Sequence, residues 1–73
     1  MIGTIFSPEF LHAKVTRAAK AASANLEEVQ HYPIPKRFDV YYPGHVFEIS
    51  YHKAHYLPEF EITHRIRKVL KGD

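Results

Sequence analysis

The sequence predicts a small α+β domain in which one N-terminal helix packs on a three-stranded antiparallel β-meander. Two observations predict it: apolar residues recur every three or four positions before Pro33, and every second position from Arg37 onward. The chain has 73 residues, the length of one domain covering residues 1–73. A chain this short buries only about 60% of its unfolded surface, so we expect no deep enclosed pocket.

The predicted helix begins at Ser7, Pro8 and Glu9. Serine accepts hydrogen bonds from free first-turn amides, proline loses nothing at the first helical position, and glutamate complements the helix dipole. An apolar stripe then continues at helical spacing to about residue 30. Its members are Leu11, Val15, Ala18, Ala22, Leu26 and Val29. The segment NLEE at residues 25–28 could instead cap a second short helix, which leaves a break near Asn25 as an alternative.

The helical region ends at Pro33 and Pro35, because proline favours extended backbone. Beyond it, apolar and polar residues alternate in three runs, which predict half-buried strands over residues 37–42, 46–52 and 60–67. Residues 1–6, MIGTIF, could add an edge strand.

The turn between the first two predicted strands is Pro43-Gly44. Pro-Gly suits a type II turn better than the primed turns of tight hairpins, so the loop could be longer than two residues. Aligning the apolar rows of a meander sets Val40 beside Phe47 and Ile49 beside Ile62. This register predicts which side chains face the helix and which face away from it.

The chain has no cysteine, which excludes disulfides, thiolate nucleophiles and cysteine-based metal sites. No basic segment precedes the first apolar residues, and no stretch approaches the roughly 20 apolar residues that span a bilayer. We therefore expect a soluble cytoplasmic protein without membrane partners.

Two histidines lie three apart, His52 at the end of the second predicted strand and His55 in the loop that follows, and the register turns His64 toward the helix. A zinc site needs three or four converging ligands, and the pair supplies two. No nucleophile or orienting carboxylate accompanies His64 in a recognisable pattern. We expect no catalytic residue, no metal ligand and no cofactor. A histidine-dependent metal-binding or catalytic protein is the second alternative.

The outer face of the predicted sheet mixes aromatic, aliphatic and charged residues, a composition that suits a protein partner. The candidate protein-binding residues are Tyr41, Val46, Glu48, Arg65 and Arg67. The sequence thus favours a non-enzymatic interaction module that binds a protein or a protein–nucleic-acid assembly. Small accessory proteins and phage-type inhibitors or regulators belong to this class. Exposed sheet edges make a homodimer a further alternative.

Basic residues form two clusters without intervening acids, although the net charge is only +2. The candidate nucleic-acid-binding residues are Lys14, Arg17, Lys20, Lys68 and Lys71. Such side chains bind phosphates without sequence preference, so a small nucleic-acid-binding protein is the first alternative. Acidic residues on the outer sheet face, among them Asp39 and Glu61, would repel a nucleic-acid backbone.

Overall fold

The computed structural model describes residues 7–72, so the edge strand predicted for residues 1–6 lies outside the described residues. The elements in chain order are α1 (Pro8–Ala22), β1 (Glu28–Pro33), β2 (Lys36–Tyr42), β3 (His45–Ser50), α2 (Tyr51–Tyr56) and α3 (Glu59–Lys71). The strands form one antiparallel sheet in the order β1-β2-β3. The predicted α+β class, with an N-terminal helix and a three-stranded meander, is confirmed.

Helix α1 begins where the sequence predicts. The hydroxyl of Ser7 accepts a hydrogen bond from the amide of Phe10 at 3.2 Å, and Pro8 occupies the first helical position. The helix ends at Ala22, because Ser23 is extended and its amide closes the last turn on the carbonyl of Ala19 at 3.1 Å.

The prediction that the helix runs to about residue 30 is wrong, and so is the alternative of a second helix capped by NLEE. Strand β1 occupies this region and pairs with β2, with Val29 opposite Val40. Leu26 and Val29 still pack against the core, which explains why their spacing extended the helical pattern. Pairing with β2 gives the segment backbone hydrogen bonds that override its local helical preference.

Both hairpin turns contain two residues. Ile34 and Pro35, joined by a cis peptide bond, connect β1 to β2. The predicted Pro43-Gly44 turn connects β2 to β3, and Gly44 has φ +77°, a conformation that glycine adopts without a steric cost. The predicted register of Val40 opposite Phe47 is confirmed.

The third predicted strand, residues 60–67, is wrong because this segment belongs to helix α3. Ile62 and Ile66 fit both periods, but the intervening Phe60 and His64 of the predicted apolar row are exposed. Thus Ile62 packs from a helix, not as a strand neighbour of Ile49, and His64 does not face the core. Acids in the first turn, lysines in the last and left-handed Gly72 at the end are features of a helix.

The second predicted strand ends at Ser50 and not at residue 52. The hydroxyl of Ser50 accepts a hydrogen bond from the amide of Lys53 at 3.2 Å and begins helix α2. Helix α2 therefore carries His52 and His55, which the sequence placed at a strand end and in a loop.

Helices α1 and α3 run in the same direction and pack closely. The hydroxyl of Thr63 donates to the carbonyl of Ala18 at 3.0 Å, and Arg67 donates to the carbonyl of Ala21 at 3.0 Å. Ala18 is fully buried and small enough to let the two backbones approach. The core between helices and sheet contains Leu11, Val15, Phe38, Val40, Tyr42, Ile49, Leu57, Ile62 and Ile66. None of the helices within residues 7–72 has the length and apolar character that a bilayer-spanning segment requires.

Candidate protein-interaction surface

The sheet has one face toward the helices and one face away from them, which we call the outer sheet face. Successive strand residues point to opposite faces, so burial of Val40 and Tyr42 under the helices turns Tyr41 outward. Across β2 and β3, Tyr41 lies opposite Val46 and Asp39 lies opposite Glu48. The structure therefore brings three candidate residues together: Tyr41, Val46 and Glu48. Val46, near the start of β3, is 50% exposed and supplies an apolar contact on the outer sheet face.

A hydrogen-bonded network organises the outer sheet face. Asp39 accepts from Nε of Arg37 at 2.8 Å and from the hydroxyl of Tyr41 at 3.3 Å. The hydroxyl of Tyr32 lies 3.5 Å from that of Tyr41, and the guanidinium of Arg37 lies 4.6 Å from the ring centre of Tyr32. Asp39 is only 4% exposed, whereas its partners Arg37 and Tyr41 are half-buried.

The network shifts the protonation equilibria of two of its members. The hydrogen bond with Tyr32, together with burial and the Asp39 carboxylate, raises the pKa of Tyr41 to about 12. The hydrogen bond to Asp39 raises the pKa of Arg37 above its ordinary value. Tyr41 is therefore protonated at neutral pH, and its hydroxyl donates to Asp39.

The two arginines that the sequence grouped with this face lie elsewhere, because they belong to α3 and not to a strand. Arg65 lines a groove that also includes Glu48. Arg67 contacts the C-terminal turn of α1 through the carbonyl of Ala21. The predicted group of five is thus divided between the outer sheet face, the groove and the helix layer.

The groove, which we call the edge groove, follows the free edge of β3 and has a volume of about 240 Å³. Its lining residues are Phe47, Glu48, Ile49, Lys53, Leu57, Arg65, Lys68 and Val69. Phe47, Glu48 and Ile49 are consecutive strand residues, and their side chains alternate between the two faces of the sheet. Because all three line the groove, the groove runs along the strand edge. Its other wall comes from α2 and α3.

The basic clusters both lie on the helix layer, but several members already have partners. Arg17 forms an ion pair with Glu59 at 3.0 Å, and Lys14 donates to the carbonyl of His55 at 3.1 Å. Lys68 lines the edge groove, while Lys20 and Lys71 lie in the last turns of their helices. Lys14 and Arg17 lie beside the start of α3, whereas Lys68 and Lys71 lie in its last turn, so the two clusters are separated along this layer.

The histidines have aromatic and backbone partners. His12 donates to the carbonyl of Val29 at 3.0 Å, and His31 is hydrogen-bonded and stacked with Tyr51. Both histidines line a pocket of about 400 Å³ near the start of α1. His52 stacks on the ring of Tyr56. Over residues 7–72, no cluster of three or more His, Cys, Asp or Glu side chains is arranged to hold a metal ion.

Three residues of the network, Tyr32, Arg37 and Asp39, are not among the candidate site residues predicted from the sequence. The alternate positions 37, 39 and 41 share one face of a strand, so an arginine, an aspartate and a tyrosine there could have indicated a network. Tyr32 lay in a segment that the sequence did not identify as a strand.

Comparisons of the chain with protein-family models, with curated proteins and with solved structures found no match.

Proposed function

We propose that the protein is a non-enzymatic interaction module that binds another protein through the outer sheet face. The observation that carries this proposal is the pairing of Tyr41 with the exposed Val46 on a sheet face opposite the helices. Tyrosine contributes a large amphipathic surface with few rotatable bonds, and arginine and tyrosine are favoured at protein interfaces. A strand-supported tyrosine next to an exposed aliphatic side chain is a suitable anchor.

The polar groups of the outer sheet face favour the same kind of partner. The carboxylate of Asp39 already has its hydrogen-bond donors within the face, so covering it leaves no unpaired buried charge. Neither Tyr41 nor Val46 lines the pocket near the start of α1 or the edge groove, whereas small-molecule sites are concave. A protein surface would cover it without disturbing the network.

Nucleic acid fits this face less well. Glu48 is exposed there and would repel phosphates, and the basic cluster of Lys14, Arg17 and Lys20 belongs to α1, on the other side of the sheet. Arg17 and Lys14 on that layer are engaged by Glu59 and by a backbone carbonyl.

Site-specific photo-crosslinking tests the proposal. The photoreactive residue p-benzoylphenylalanine replaces Val46 in one variant and Phe60 in the other, and both proteins are irradiated in cells of the source organism. Phe60 is the matched control because it is 72% exposed but lies on α3, away from the outer sheet face. We expect a discrete crosslinked protein from position 46 and not from position 60.

Two results would count against the proposal. Position 46 could yield no crosslinked protein, or the two positions could yield the same products at the same levels. Mass spectrometry of the crosslinked species separates a foreign protein from a second copy of this chain.

A further inference from the structure

The free edge of β3 exposes backbone hydrogen-bonding groups. The amide of Glu27 donates to the carbonyl of Tyr41 at 2.9 Å, which directs the backbone of Tyr41 toward β1. The backbone N–H and C=O groups of Asp39, two residues earlier, point in the same direction. Their opposite residues in β3, Val46 and Glu48, therefore form the non-hydrogen-bonded pairs of the ladder and direct their own N–H and C=O groups away from β2. Within the described chain, β3 has β2 as its one strand neighbour.

The edge groove has the shape that an added strand would need. A strand alongside β3 would lie about 4.8 Å from it and point alternate side chains to opposite faces. One set would enter the groove, where Phe47, Ile49, Leu57 and Val69 provide an apolar lining. The other set would lie on the outer sheet face beside Val46. Pairing of an extended peptide with a sheet edge combines main-chain affinity with side-chain selectivity of this kind.

The charges of the groove are mostly positive. Lys53, Arg65 and Lys68 line it, and Glu48 is its one acidic residue. Opposite charges across an interface guide association and select the partner, so the lining favours carboxylates.

The same charges argue against a second copy of this chain as the occupant. Edge-to-edge pairing of two β3 strands would bring the basic side chains of both copies together, which is repulsive. A polynucleotide would meet the positive charges but could not pair with the backbone groups of Val46 and Glu48 as a strand does.

We propose that the edge groove binds an extended acidic segment of the partner protein, which pairs with β3 as a fourth strand and places apolar side chains in the groove. This inference rests on the proposed function and names the chemistry of the partner. The segment carries apolar residues at alternate positions and Asp or Glu next to them.

Selection from a phage-displayed library of random dodecapeptides tests the proposal with the full chain as bait. Enriched peptides should contain alternating apolar residues with Asp or Glu, and addition of such a peptide should shift the amide resonances of Val46 and Glu48. Only every second amide of a paired strand faces β3. N-methylation of those peptide amides should therefore abolish binding, whereas N-methylation of the intervening amides should leave binding unchanged.

Charge-reversal variants provide the matched control. Arg65→Glu/Lys68→Glu should weaken peptide binding at least about tenfold, whereas Lys20→Glu/Lys71→Glu should change it less than about twofold. Both variants reverse two exposed positive charges, so net charge is held equal. Thermal melts check that each variant is folded.

Four results would overturn the proposal. They are no enrichment over a blank surface, enrichment of peptides without acids, equal effects of the two charge-reversal variants, and protection of the β3 edge by self-association without peptide. If position 46 crosslinks a partner while the library selection fails, the proposed function stands and the groove assignment falls. If both experiments fail, both assignments fall.

Discussion

The hydroxyl of Tyr41 donates to the buried carboxylate of Asp39 at 3.3 Å on the outer face of the sheet. This bond joins the exposed surface of the domain to its polar network, because Asp39 also holds Arg37. The outer sheet face is therefore ordered before any partner arrives, and preorganisation of this kind lowers the entropic cost of binding.

The raised pKa of Tyr41 makes stability depend on pH in alkaline solution. The folded chain holds this proton more tightly than the unfolded chain, since the pKa rises from 10.0 to about 12 on folding. The contribution is complete below pH 10, and it is lost as pH rises through about 12. Tyr41→Phe should therefore reduce the loss of stability over this interval.

Spectroscopic titration at the phenolate absorption band measures this directly. The difference between wild type and Tyr41→Phe should give a midpoint near 12 while circular dichroism reports a folded chain. A midpoint at the ordinary value of 10.0 would show that the network does not hold the phenol.

Asp39→Ala should destabilise the fold by about 1–3 kcal/mol, because Arg37 and Tyr41 lose the acceptor that they share. Glu48→Ala is the matched control, since Glu48 lies opposite Asp39 but is exposed, and it should cost less than about 0.5 kcal/mol. Urea unfolding of the two variants measures both values. If Asp39→Ala lowers the free energy of unfolding by no more than Glu48→Ala does, the network contributes nothing to stability.

The contact between α1 and α3 depends on small side chains and one buried hydroxyl. Thr63→Val removes the hydrogen bond to Ala18 at nearly constant volume and should cost about 1 kcal/mol. Ala18→Leu should cost about 1–3 kcal/mol by forcing the helices apart, whereas Ala13→Leu on the exposed side of α1 should be close to neutral. Thermal unfolding of the three variants checks this order. A tolerated Ala18→Leu would contradict the close packing.

The nucleic-acid alternative makes a distinct prediction about salt. We expect no binding of duplex or single-stranded oligonucleotides tighter than micromolar near physiological salt. Fluorescence anisotropy measures this. Micromolar binding that weakens steeply with salt, and less steeply in Lys20→Glu/Lys71→Glu, would make nucleic acid the leading function.

Local chemistry predicted several parts of the fold correctly. The cap at Ser7, the turn at Gly44 and the register of Val40 with Phe47 each depend on a few neighbouring residues. Ile62 and Ile66 were misleading because residues four apart fit both a helix and an alternating strand. Deciding between the two periods requires knowing whether Phe60 is buried, which depends on the tertiary structure.

The candidate site was also predicted in part, for the same physical reason. Tyr41, Val46 and Glu48 were grouped correctly in space, because strand alternation fixes their common face. Arg65 was misplaced with the strand that does not form, and the edge groove was not foreseen. The groove exists only because α2 and α3 pack beside β3, so Lys53 and Leu57 could not have been assigned to it from their spacing.

The central claim is that the outer sheet face binds a protein. The most direct test is titration of the protein that crosslinks at position 46 with wild type and with Tyr41→Ser/Val46→Ser. Tyr41→Ser removes one donor to Asp39 and should cost about 1 kcal/mol, so the variant should remain folded, whereas Ile62→Ala should lose about 2–5 kcal/mol of stability. We expect a loss of binding free energy of about 2 kcal/mol or more, roughly a thirtyfold rise in Kd. A variant that is folded and binds with unchanged Kd would contradict it.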